Sequence, residues 1–177
     1  MHIDPLERKW IFVVFAMVGI MLIAIFFTAF VQRVHPPSNV ETIDSASLHL
    51  TQEFAEDNLG VHQGADAAVR VTMVAARYGF YPQHIEVPAN TPVTFRWATI
   101  DVLHGVHMAL TNMNTMVVPG FVSQVTTVFP EPGEYPMFCN EYCGLGHDHM
   151  WSRVTVVPKD QWSGPKVATV AADRKGG

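Results

Sequence analysis

The sequence predicts a mainly β protein, a Greek-key β-sandwich or barrel, with one N-terminal transmembrane helix. Three observations carry this. An uncharged apolar run extends from Trp10 to Val31, five short β-rich stretches with partial alternation follow from Val69 onward, and Pro and Gly residues separate those stretches.

The apolar run comes first. WIFVVFAMVGIMLIAIFFTAFV is long enough to cross a hydrocarbon core of ~30 Å as a helix. Trp10 provides an aromatic anchor at one end, and Arg8 and Lys9 precede the run. The positive-inside rule then sets a cytoplasmic N-terminus and an external C-terminal domain, with a single crossing of the cell membrane. A cleaved signal peptide is the alternative, but its apolar core spans only ~7–15 residues and ends in a small-residue cleavage site. Gln32, Arg33, Val34 and His35 offer no such site. The anchor is therefore expected over residues 1–33.

Residues 34–67 are polar and broken, beginning with HPPSN, and read as a linker with a short helix within Ser47–Asn58. The β-rich stretches are Val69–Ala75, Thr91–Trp97, Val122–Phe129, Tyr135–Phe138 and Arg153–Val157. Pro82, Pro88, Pro92, Pro119, Pro130 and Pro132 punctuate them, as do Gly120 and Gly133. Such spacing fits one domain over 68–160. The tail, 161–177, is expected to be flexible, with disorder from Ser163.

The composition excludes some roles. The net charge is −5 and Lys/Arg clusters are absent, which argues against nucleic acid as a partner. No Ser–His–Asp set or pair of catalytic carboxylates is visible. The two cysteines, Cys139 and Cys143, are close enough to form a disulfide or a redox pair, but a bridge closing so short a loop stabilises little.

Their neighbours point elsewhere. CNEYCGLGHDHM, residues 139–150, gathers Cys139, Cys143, His147 and Met150 between two predicted strands. Thiolate, imidazole and thioether together prefer copper, whereas magnesium and calcium favour oxygen and structural zinc rarely recruits Met. His104, in DVLHGVH, is the candidate from a neighbouring strand. A blue-copper site takes one thiolate and two imidazoles. With two thiolates bridging, two copper ions are each completed by one imidazole and one weak donor. Met150 supplies one weak donor and the backbone carbonyl of Glu141 the other.

HG followed by a further His, then C-x-E-x-C-G-x-x-H-x-x-M, resembles the dinuclear copper signature of cytochrome c oxidase subunit II. The likeness runs from about Tyr78 to Val157 and includes YGFYPQHIEVP and the pair Pro132–Gly133. The single helix and the wording DVLHGVHM look more like the B-family of heme–copper oxidases. Most A-family subunits have a two-helix hairpin and a Trp-rich stretch, which Tyr78, Phe80 and Tyr81 replace here. The resemblance implies a cupredoxin-like β-barrel holding a dinuclear copper (CuA) centre. It also implies ligands His104, Cys139, Glu141 through its carbonyl, Cys143, His147 and Met150. The implied role is electron entry from cytochrome c, with electrons leaving toward a heme in oxidase subunit I, where oxygen is reduced to water. The implied partners are therefore subunit I, cytochrome c and membrane lipid. The chain itself performs electron transfer only.

Other residues have plainer readings. His107 stands at odd strand spacing from His104 and should face the other way. His149 falls outside the motif. His35, His49, His62 and His84 read as surface residues, and Met108, Met113, Met116 and Met137 as core. Asp101 either orients the His104 ring or is a solvated turn carboxylate. The Glu141 carboxylate reaches a magnesium site in A-family relatives, and its role here stays open. Tyr78, Phe80 and Trp151 form either a patch for a cytochrome or core, with core the better reading for Phe80. Three rival functions stand beside the oxidase: the electron-entry subunit of a nitric oxide reductase, a mononuclear cupredoxin carrier, and a copper-delivery protein.

Overall fold

The structure, a computed structural model, describes residues 4–31, 41–64 and 67–165. The chain divides into two compact units, Met1–Asn39 and Val40–Gly177.

The first unit is helix α1, Pro5–Phe30. Asp4 caps it, its carboxylate accepting from the Leu6 amide at 2.7 Å, and Pro5 occupies the first turn, where a missing N–H costs nothing. Its 26 residues span about 39 Å, more than a hydrocarbon core requires. Phe12, Phe15 and Phe30 are all exposed, and the helix buries no residue within the chain. It is long and apolar enough to cross a membrane.

The second unit contains two sheets. The strands are β1 (Glu41–Thr42), β2 (Gly60–Gln63), β3 (Val69–Ala76), β4 (Gly79–Tyr81), β5 (His84–Pro88) and β6 (Pro92–Thr99). They continue with β7 (His104–Met108), β8 (Asn114–Val117), β9 (Phe121–Val128), β10 (Gly133–Phe138) and β11 (Trp151–Val157). One sheet has the order β1-β9-β6-β3-β2, with β4 also on β3; the other runs β5-β11-β10-β7-β8. Most pairs are antiparallel, but β3–β6 and β5–β11 are parallel. All five predicted strands are present, within about two residues of their expected ends.

The main core lies between the sheets. Val71, Met73, Phe95 and Trp97 come from one side, and Val106, Met108, Met137 and Val154 from the other. Phe80 packs edge-on against Trp97 at 5.6 Å, as core.

Of the expected linker over 34–67, residues 34–40, 65 and 66 lie outside the described residues, and the others depart from the linker reading. From Glu41 onward they belong to the folded unit: β1 pairs with β9, β2 pairs with β3, and two 3₁₀ turns, Ser45–Leu50 and Glu56–Asn58, replace the single helix expected over Ser47–Asn58. Leu48 and Phe54 are buried against Val74, Ala98 and Val122 on the outer face of the β3–β6 sheet. Arg96 secures the segment, donating to Glu53 at 2.9 Å and to Glu41 at 2.8 Å. This cover explains why β3 is buried on both faces and reads as a nearly continuous apolar run. The flexible tail expected over 161–177 falls mostly outside the described residues; its first residues are described, and Trp162 packs against the main core.

Candidate metal centre

Strand pairing brings the predicted residues together. Residues 139–150 connect β10 to β11. Their ends are fixed by the Phe138–Trp151 pair and by the Cys139 amide donating to the Met150 carbonyl at 3.1 Å. Within the loop a 3₁₀ turn over His147–His149 folds the chain back on itself, with the Met150 amide donating to the His147 carbonyl at 3.2 Å. Gly144 starts this turn at φ +135, a region that L side chains rarely adopt. A Cβ there would also lie 2.6 Å from the Tyr78 hydroxyl, so the Tyr78 ring rests directly on the loop.

β7 runs beside β10 and supplies His104 from its first residue, fully buried. The close approach depends on Gly105: a Cβ there would collide with the Asn140 side-chain oxygen. Asn140 lies between the cysteines and donates to Asn114 Oδ1 at 3.1 Å, tying the loop to β8.

The six predicted donors converge. The Cys139 and Cys143 sulfurs are 4.0 Å apart, and both residues are buried free thiols. His104 Nδ1 lies 4.0 Å from the Cys139 sulfur, and the Glu141 carbonyl accepts from that thiol at 3.2 Å. His147 Nδ1 lies 3.6 Å from the Cys143 sulfur, and Met150 Sδ lies 3.7 Å from it. Each sulfur thus has one imidazole and one weak donor beside it. Donors about 2.0–2.3 Å from a shared ion at near-tetrahedral angles stand about 3.3–3.8 Å apart; the observed 3.2–4.0 Å separations lie within a few tenths of an ångström of that range, and the soft sulfur and imidazole donors suit soft metal ions.

A sulfur separation of 4.0 Å is far from a disulfide bond. Burial, followed by the neighbouring Cys139, pushes the Cys143 thiol up to about 11. Reactive cysteines have lowered values, so Cys143 is a poor nucleophile; a thiol of this kind becomes a thiolate when a metal displaces its proton.

Behind His104 stands Asp101. Nε2 of His104 donates to its Oδ1 at 2.8 Å, which leaves Nδ1 facing the sulfurs. The Val102 amide and the Thr99 hydroxyl reach the same oxygen at 2.7 and 3.0 Å. The Arg77 amide and Nε donate to Oδ2 at 2.8 and 3.2 Å. Burial alone would raise the pKa of Asp101; the hydrogen bonds from His104, the Arg77 and Val102 amides and Thr99 together outweigh it and hold the carboxyl well below the usual carboxylate range. Of the two sequence readings, the orienting one is observed. Arg77, Thr99, Asn140 and Asn114 escaped sequence reasoning, because none is itself a metal donor type in the motif.

The remaining residues fall as follows. His107 is half-buried on the opposite face of β7 from His104. His149 is exposed, 3.5 Å from Asp148. His49 and His84 are exposed, half-buried His62 contacts the Asn58 carbonyl at 2.8 Å, and His35 lies outside the described residues. Met108, Met113 and Met137 are buried, but Met116 is exposed rather than core, pointing outward from the short strand β8. Tyr78 and Trp151 are both partly exposed, Trp151 beneath the Arg153 guanidinium.

Comparison with known proteins identifies the fold and the family. The family model for the cupredoxin-like domain matches residues 20–156. A cytochrome c oxidase subunit 2 of Thermus thermophilus is 36% identical over 152 residues, covering 85% of this chain and 90% of that protein. A second Thermus thermophilus protein of that name is 37% identical over 121 residues, covering 68% of this chain and 90% of its own. A chain from a heme–copper terminal oxidase dimer solved by cryo-electron microscopy superimposes with a TM-score of 0.63 at 23% identity, covering 86% of this chain and 100% of that one, and shares the fold. A cupredoxin fold in this context implies copper. With the Cys, His and Met donors on one loop and a second His on the neighbouring strand, the chain belongs to the cytochrome c oxidase subunit II family, the electron-entry subunits of heme–copper oxidases.

Proposed function

We propose that this chain holds two copper ions as a dinuclear CuA centre, with Cys139 and Cys143 bridging and His104, His147, Met150 and the Glu141 carbonyl completing the set. In this reading it accepts electrons from cytochrome c outside the membrane and delivers them to a heme of oxidase subunit I, where oxygen is reduced to water. One observation carries the reading: two buried sulfurs 4.0 Å apart, each next to its own imidazole and its own weak donor. A mononuclear site would need both imidazoles at one thiolate.

When bound at Cys139, Cys143, His104, His147, Met150 and the Glu141 carbonyl, the two copper ions would supply a one-electron couple. The chain's residues do the rest. The loop holds the donors in fixed positions, so little rearrangement accompanies the change of charge. The sandwich core beneath Cys139, Cys143 and Met150 excludes water. Asp101 sets the tautomer and direction of His104. Helix α1 lies in membrane lipid, and Arg8 and Lys9 keep its N-terminus cytoplasmic, so the metal domain is external.

The test is metal analysis and electron spin resonance on the full-length chain, purified in detergent and supplied with copper. Two coppers per chain and a multi-line signal from equivalent ions are expected. Cys143→Ser should abolish that signal with the β-fold intact, while His107→Ala should keep both coppers. One copper with the strong visible colour of a blue-copper site, or zinc, would sink the reading. Turnover of the assembled complex with oxygen or with nitric oxide distinguishes an oxidase from a nitric oxide reductase.

A further inference from the structure

Arg77 follows the last residue of β3 and reaches the Asp101 carboxylate in two ways. Its main-chain N–H donates to Oδ2 at 2.8 Å, and its Nε donates to the same oxygen at 3.2 Å. The other carboxylate oxygen takes Nε2 of His104 at 2.8 Å. Two hydrogen bonds therefore connect a half-exposed guanidinium to a fully buried imidazole. The two Arg77 contacts have different consequences. The main-chain bond survives any side-chain substitution and, with the Val102 amide and the Thr99 hydroxyl, keeps the carboxylate in place. What the side chain adds is a positive charge.

We propose that the Arg77 guanidinium sets the reduction potential of the metal at His104, acting through Asp101 as a positioning residue. A histidine ligand whose far N–H is given to a carboxylate becomes a more basic donor and favours the oxidised metal. A guanidinium on that carboxylate draws on its charge and weakens the effect. A cation near the site also favours the state with one fewer positive charge. Both influences raise the potential. An ion pair this exposed contributes little to stability, so removing the guanidinium should leave the fold unchanged. The inference rests on the copper reading above.

The experiment compares wild type, Arg77→Met and Arg77→Lys as full-length chains in detergent. Copper per chain and the spin signal should be the same in all three. At a fixed redox poise, the reduced-to-oxidised ratio of Arg77→Met should fall roughly threefold, or about 28 mV at 59 mV per tenfold for one electron, and Arg77→Lys should recover most of the shift. Three equal potentials, or a rise in Arg77→Met, overturn the inference. A second readout needs no metal. In the copper-free chain the Nε2 proton of His104 should move downfield by nuclear magnetic resonance in Arg77→Met, as Asp101 becomes the stronger acceptor, and return in Arg77→Lys. An unmoved proton also overturns the inference. A wild-type chain that fails to hold two coppers counts against the copper reading alone, and the proton resonance still decides the role of Arg77.

Discussion

His104 has two ring nitrogens, and its usefulness as a ligand depends on which of them faces the sulfurs. Asp101 decides this by taking Nε2 at 2.8 Å. The cost of losing that carboxylate should depend on pH in a defined way. A carboxyl whose folded value is held below its unfolded one, about 3.9, contributes stability above that value and loses it as pH falls through the folded one. Asp101 is of this kind. Asp101→Asn should therefore destabilise the copper-free chain by about 2 kcal/mol at pH 7, the scale of lost charged hydrogen bonds. The difference from wild type should shrink as the pH is lowered below ~3.9, read from denaturant unfolding curves at each pH. A difference that stays constant across that range would show that the charge is irrelevant. At this scale the motif residues were legible because donor type and spacing are written in the chain. Thr99 and Arg77 were not: Thr99 meets Asp101 across a turn, and Arg77 reaches it only because β3 pairs with β6.

At the scale of elements, the segment 41–58 shows where local reading fails. Leu48 and Phe54 stand six residues apart with the equally apolar but exposed Leu50 between them, so nothing local singles out the two as core. They are buried because the β3–β6 sheet presents Val74 and Ala98 on its outer face. Phe54→Ala should cost about 3–5 kcal/mol, as expected for emptying a buried aromatic site, measured as a shift of the unfolding midpoint with unchanged copper content. A loss below ~1 kcal/mol would make the segment the loose linker that its sequence resembles. β8 was likewise unmarked as a strand, and β7 entered only as the neighbouring strand expected to carry His104. HGVHM and NTMV are short and mixed in character, and they become strands by pairing with β10 and with each other.

For the whole molecule, the chain separates into an apolar helix and a folded domain that starts at Val40. A fragment beginning at Val40 retains β1, β2 and both buried clusters, so it should be soluble without detergent and bind the same number of coppers as the full chain. A fragment beginning at Ala68 lacks Leu48, Phe54 and two strands, and it should unfold at lower denaturant or precipitate. Equal unfolding midpoints for the two would remove the argument for an extended domain. Only the longer fragment keeps the outer face of the sheet covered.

By itself the sequence determined the apolar helix, the mainly β class and the six candidate donors, because hydrophobic runs, strand alternation and ligand spacing are local properties of a chain. Tertiary structure decided the rest. It placed His104 beside Cys139 through the pairing of β7 with β10, turned Asp101 and Arg77 toward the back of that ring, and enlisted residues 41–58 as core. Those outcomes depend on which distant surfaces meet, and burial and pairing between remote segments leave no periodic trace in either one.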